Sequence, residues 1–225
     1  MIILGDHGIH YDGGWHDQHA RKKLSKMPIT FVMIRGNHDM RPSENWRRAF
    51  VMKPGVMSGW FYEDPYADNI LYTDEYGWYV FGGVQTFVIC GAYSVDKYYR
   101  LEKAAWGETG YRWFPDEQLN DQERDAAYRM FFSEVPANKP FVIMSHTCPL
   151  NMKPTEKLLT MIDQNTVDET MEKWMDNLYL DTINLGLPLS RWYCGHWHID
   201  KTVEPIRFIY NDIELMKGTE PWRRV

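Results

Sequence analysis

Cysteine is scarce in this sequence. Cys90, Cys148 and Cys194 are odd in number, far apart and free of any Cys-x-x-Cys spacing. That excludes a disulfide framework and a thiolate zinc site, and it fits a reducing compartment. No apolar run approaches the ~18 residues that a membrane-spanning helix requires. The opening MIILGDHG is not a secretory leader, because Asp6 and His7 interrupt the apolar stretch almost at once. Basic charge is in deficit: 25 Lys and Arg against 31 Asp and Glu leave a formal net charge of −6. Broad affinity for nucleic acid needs a basic footprint that releases counterions, so nucleic acid is disfavoured as a partner. Internal repeats, low-complexity tracts and linker-like stretches are missing too. A cytoplasmic enzyme or binding domain remains. The 225 residues, 44% of them hydrophobic, suffice for one α/β domain over residues 1–225.

Four apolar runs read as buried strands: Ile2–Leu4, Ile29–Ile34, Phe141–Met144 and Trp192–Cys194. Trp15 to Lys26 reads as a polar helix stopped before Pro28, and Ser43 as the cap of a short helix through Phe50. Between Asn69 and Cys90 the runs ILYT, WYVF and QTFVIC, broken at Asp74–Gly77 and at Gly82-Gly83, predict an antiparallel hairpin leading into a buried strand. Pro115–Glu117 opens a predicted helix of about 18 residues with Leu119, Ala126, Ala127, Met130 and Phe131 as core positions. Thr166 to Leu185 predicts a second long helix, and the tail from Lys201 alternates as terminal strands do. Met152 to Asn165 reads as a flap over the site, and Trp222 to Val225 as surface.

Each of the four strands ends in polar residues: Asp6; Asn37, His38 and Asp39; His146; His196 and His198. In α/β sheets the crevice beyond the carboxyl ends of the strands is where ligands bind. Asp, Asn and neutral His together offer oxygen and nitrogen donors suited to Mn²⁺, Fe²⁺, Zn²⁺ or Ni²⁺. Such ions bind a phosphoryl group and lower the pKa of water. His38 beside Asp39 has the makings of a general acid held by its neighbour. Arg35 offers a planar fork of donors for phosphate oxygens. Gly91–Arg100 follows a strand directly; it reads either as a loop that contacts a phosphate or a base, or as a solvated loop whose tyrosines pack on Trp106.

The ordered set Gly5-Asp6, GNHD (Gly36 to Asp39), Ser145-His146 and GHWH (Gly195 to His198) resembles the calcineurin-like metallophosphoesterase superfamily. The resemblance runs from the first residues to past residue 198. It implies a two-sheet α/β sandwich flanked by helices, with a dinuclear centre of two divalent metal ions that hydrolyses phosphate mono- or diesters. By motif it implies Asp6 as the carboxylate bridging both ions and Asn37, His146 and His196 as the other ligands of one. His198 would be a ligand of the second ion, and His38 the leaving-group acid oriented by Asp39. Arg35 stands where the protein serine/threonine phosphatase branch carries the arginine of RGNHE. That branch also carries GDxxDRG, where this chain reads GDHGIHYDG, without the arginine.

Members of the superfamily begin with a strand ending in Asp-x-His, which supplies two ligands to one ion. Only five residues precede Asp6, and Asp17-Gln18-His19, which has the spacing, falls in the polar helix after it. His7, His10 and His16 read as rim residues. The expectation is that the natural protein extends upstream, that a first strand and helix are missing here, and that one metal position is retained complete. The leading function is hydrolysis of phosphomonoesters carried by a phosphoprotein, a nucleotide or a small molecule. A phosphodiesterase or nuclease of the same superfamily, and a catalytically silent phosphate- or partner-binding module, are the alternatives.

Overall fold

A computed structural model describes residues 1–216. Its strands are β1 (Ile2–Leu4), β2 (Phe31–Ile34), β3 (Arg48–Lys53), β4 (Met57–Asp64), β5 (Ala67–Thr73), β6 (Tyr76–Phe81), β7 (Val84–Ile89), β8 (Phe141–Ser145), β9 (Leu189–Cys194), β10 (Lys201–Val203) and β11 (Ile206–Phe208). Its α-helices are α1 (Trp15–Leu24), α2 (Lys97–Ala105), α3 (Asp121–Glu134) and α4 (Thr170–Asn184). Hydrogen bonding is continuous in the order β1-β2-β5-β4-β6-β7-β8-β9-β11-β10, with β3 on the free side of β4. The pairs β1–β2, β2–β5, β7–β8, β8–β9 and β9–β11 are parallel. No helix of the described residues is long and apolar enough to cross a membrane.

Strand alternation shows that this single ladder curls into two stacked layers, because successive side chains enter opposite faces. Val32 and Ile34 of β2, with Ile2 and Leu4 of β1, share one core with Val88 of β7, Val142 and Met144 of β8 and Tyr193 of β9. Their neighbours Phe31 and Met33 face the other way, toward Ala20 and Leu24 of α1. Phe87, Phe141, Ile143 and Trp192 face outward from the second half, under Ala127 and Phe131 of α3 and Met171, Met175 and Leu178 of α4. Each such fully buried side chain contributes about 1.5–3 kcal/mol. The expected two-layer α/β sandwich flanked by helices is the observed one.

Three local expectations differ from the structure. Residues 48–53 form a strand, not the end of a helix begun at Ser43. Arg48–Lys53 pairs along its whole length with β4, Phe50 sits edge-on to Trp60 across the ladder, and Arg48 holds Asp74 through two nitrogens. Such cross-strand pairs override a weak helical signal. The strand ILYT joins β2 and β4 instead of a hairpin with β6. Helix α3 starts at Asp121, where Asn120 and Glu123 form a reciprocal capping box. Glu117 stays in the preceding loop because its carboxylate is held by Ser94 and its carbonyl by Arg35.

Helix α1 has little amphipathic character because it docks through charge. Buried Asp17 accepts the backbone N–H groups of Tyr11, Asp12 and Gly13, and Arg21 donates to the Ile9 carbonyl and reaches His10 Nδ1 at 3.1 Å. His7 and His10 are therefore interior residues, not rim residues; His16 is exposed. Burial pushes the His10 imidazole down to about 4. The unfolded chain takes up this proton near pH 6.5 and the folded chain near pH 4, so stability is intact above pH 6.5 and is lost as pH falls toward 4. His10 alone should lower the unfolding free energy by about 2 kcal/mol between pH 7 and pH 5. Urea unfolding at the two pH values measures this; equal midpoints would refute it.

Candidate metal centre

The parallel strands β1, β2, β8 and β9 present their carboxyl ends at one edge. Gly5 and Gly36 make the convergence there sterically feasible. A methyl group at Gly5 would overlap the His146 ring, and one at Gly36 would overlap Asp6. Asp6, His196 and His198 are the non-glycine residues with positive φ among those described, at 50°, 62° and 48°. Such conformations cost of order 1–3 kcal/mol each and cluster at functional sites.

Four donor atoms meet at this edge. Nδ1 of His146 donates to the Leu4 carbonyl at 2.6 Å, which turns Nε2 toward the cleft. That Nε2 lies 2.9 Å from Asn37 Oδ1 and 3.4 Å from Asp6 Oδ2. Nδ1 of His196 lies 3.1 Å from the same Asn37 oxygen. One ligand atom each from Asp6, His146 and His196 lie within 4.8 Å of one another. Neutral His146 would set its lone pair against the Asn37 carbonyl and the Asp6 carboxylate, so this cluster calls for a positive charge. Burial raises the Asp6 carboxyl, but the His146 imidazole outweighs it and holds Asp6 far below the usual carboxylate range. His146 is disfavoured as a cation by burial yet raised by Asp6, while burial and His146 push His196 down to about 3. The two oxygens and two nitrogens fit a borderline divalent cation.

The orientation of the Asn37 amide is set from behind. Its Nδ2 donates to Ser94 Oγ at 2.8 Å, and Ser94 Oγ and N donate to Glu117 at 2.5 and 3.0 Å. Every donor in that relay points away from the cleft, so Asn37 Oδ1 must point into it. Glu117, ahead of α3, does not stand out in the sequence. Ser94 lies in the Gly91–Arg100 loop, one sequence reading of which is a phosphate contact, but here it orients Asn37 from behind.

His38 borders the cluster. Its backbone N–H donates to Asp6 Oδ1 at 2.9 Å, and its Nε2 faces Asn37 Nδ2 at 3.2 Å and an Arg100 nitrogen at 3.3 Å. Burial pushes its pKa down, Asp6 opposes this and Arg100 adds to it. Asp39 does not orient His38. It accepts the Gly36 N–H at 2.9 Å and lies 3.2 Å from His7 Nδ1, bracing the turn from inside.

Arg35 departs most from expectation. Its guanidinium grips Glu75 through Nε and one terminal nitrogen, while the other donates to the carbonyls of Gly36 and Glu117, both at 3.1 Å. With its side chain 4% exposed, it has no fork left for a phosphate. Its place beside His38 is taken by Arg100. His198 stands outside the cluster, with its ring stacked on Tyr210 at 4.7 Å. His19 stacks on Trp15, so Asp17-Gln18-His19 supplies nothing to the centre. Residues 222–225 lie outside the described residues.

No curated protein matches the chain. A profile of the calcineurin-like phosphoesterase family matches residues 1–200, a span that contains all four strand ends and every donor of the cluster. With that match covering most of its 225 residues, the chain belongs to the calcineurin-like phosphoesterase family of metal-dependent hydrolases acting on phosphoester bonds.

Proposed function

We propose that this chain is a phosphomonoesterase, with Asp6, Asn37, His146 and His196 holding a divalent ion and His38 protonating the departing oxygen. The observation that carries this reading is the convergence of Asn37 Oδ1, His146 Nε2, His196 Nδ1 and Asp6 Oδ2 beside the His38 ring. The ion, when bound, supplies Lewis acidity toward the phosphoryl group and acidifies water. The residues supply the rest. Asn37 is locked by Ser94 and Glu117, and His146 by Leu4. Both positions are thus set before substrate arrives.

Burial pushes the His38 pKa down, and the two donors facing Nε2 suit the lone pair of the neutral ring. A phosphate dianion beside it favours the protonated ring; the ring takes its proton from solvent, gives it to the leaving oxygen as the P–O bond breaks, and is left neutral. A single ion is the favoured stoichiometry, because the one His/Cys/Asp/Glu group among the described residues is Asp6, His146 and His196, with His198 outside it. The net charge of −6 supports a small phosphate ester over nucleic acid. Three buried free thiols support a reducing, cytoplasmic setting. Cores that share strands across the curled ladder support one domain.

With Mn²⁺ added, the protein should hydrolyse p-nitrophenyl phosphate at least about tenfold faster than the bis ester, a gap of about 1.4 kcal/mol in barrier, and chelation should abolish the activity. Faster cleavage of the bis ester or of single-stranded DNA would make it a phosphodiesterase. An ion bound with no turnover on any of the three would make it a binding module.

A further inference from the structure

We propose that Arg100, set in place by Asp96 and Tyr11, is an anion subsite that holds the non-bridging oxygens of a doubly charged phosphoryl group. The inference rests on the phosphomonoesterase reading and names what in the cleft selects a monoester. Arg100 lies in the second turn of α2, a helix with no buried residue, so packing does not explain where its side chain goes. Its Nε donates to Asp96 Oδ2 at 2.7 Å, one terminal nitrogen donates to the Tyr11 hydroxyl at 3.3 Å, and the other faces His38 Nε2 at 3.3 Å. Tyr11 is itself anchored, its hydroxyl lying 2.9 Å from the Gly110 carbonyl. Three contacts on three sides fix the plane of the guanidinium at the mouth of the cleft.

The i,i+4 ion pair Asp96–Arg100, half-buried on the side of a short helix, by itself adds only modestly to the stability of the fold. The contact that needs a reason is the approach of a cation to an imidazole already faced by Asn37 Nδ2. A leaving oxygen that receives a proton from His38 Nε2 must come within hydrogen-bond reach of that atom. The other oxygens of the same phosphoryl group then lie on the Arg100 side. A guanidinium has five N–H donors, and three contacts leave donors for a phosphate fork. Arg35 has no fork to offer, four of its five N–H groups being spent on Glu75 and two carbonyls. A monoester presents a dianion with free oxygens to this fork. In a diester the second substituent occupies one of those oxygens and removes one charge, so the same subsite selects against it.

The test compares wild type with Arg100→Met, Arg100→Lys and Asp96→Asn in three measurements: kinetics on p-nitrophenyl phosphate with Mn²⁺, kinetics on its bis ester, and calorimetric binding of inorganic phosphate. Arg100→Met should raise KM for the monoester and Kd for phosphate about 10- to 100-fold, as expected for a charged hydrogen bond. Bis ester kinetics should stay within about threefold. Arg100→Lys, a point charge without the fork, should recover part of the loss. Asp96→Asn should raise phosphate Kd less than Arg100→Met does. Unchanged KM and Kd in Arg100→Met, or equal losses on both esters with a lowered melting temperature, overturns the subsite. If wild type hydrolyses no monoester, the enzymatic reading fails on its own. The phosphate Kd ratio between wild type and Arg100→Met still decides the subsite: tenfold or more upholds it, and equality refutes it.

Discussion

Substituting His146→Ala should cut turnover of p-nitrophenyl phosphate about a thousandfold and abolish calorimetrically detectable Mn²⁺ binding. His146 is the residue on which the cluster closes: Leu4 fixes one ring nitrogen, and the other faces both Asn37 and Asp6. Loss of several kcal/mol of transition-state stabilisation, at 1.36 kcal/mol per decade, sets the size of the effect. The relay behind Asn37 gives a graded companion. Ser94→Ala leaves every donor atom in place but frees the amide to rotate, and it should weaken Mn²⁺ binding about 10- to 100-fold. Equal affinity in wild type and Ser94→Ala would show that the relay from Glu117 does not orient Asn37. Full Mn²⁺ affinity in His146→Ala would place the ion elsewhere.

Arg35→Met should destabilise the fold by about 3 kcal/mol, because it removes the bidentate partner of the part-buried Glu75 carboxylate and leaves it only Arg41 Nε at 3.7 Å. For a chain of this size that corresponds to a melting temperature lower by about 10 °C. Replacing both partners, Arg35→Met with Glu75→Leu, removes the stranded charge and should recover much of the loss. Both variants are read by thermal and urea unfolding. An unchanged melting temperature combined with a raised Kd for inorganic phosphate would return Arg35 to the phosphate-binding role that its motif suggests. The geometry argues against that outcome, since the arginine's field is spent on Glu75 and on two carbonyls that frame the loop carrying Asn37. Its service to the site is to hold the loop's shape.

The sequence by itself determined the layers and the donor set. The near-continuous buried runs at Phe31–Ile34, Val84–Ile89 and Phe141–Ser145 must bury both of their faces, which places them between a second layer and covering helices. Parallel strands place their carboxyl ends together, so Asp6 meets Asn37 at the ends of β1 and β2, and His146 meets His196 at those of β8 and β9, wherever such strands pair. These are local properties: residue type, spacing and strand direction. What only the tertiary structure decided is which charged group faces which. Arg35 and Arg100 are chemically identical, and Asp39 is adjacent to His38 in sequence. Yet Arg35 meets Glu75 forty residues on, Asp39 turns to His7, and Arg100 reaches His38 from sixty-two residues away. The strand at Arg48–Lys53 likewise exists because β4 offers it a partner. The reason is the range of the forces. Periodicity and donor chemistry are written into neighbouring residues, whereas the pairing of charges and of edge strands depends on distances set only when the whole sheet has curled.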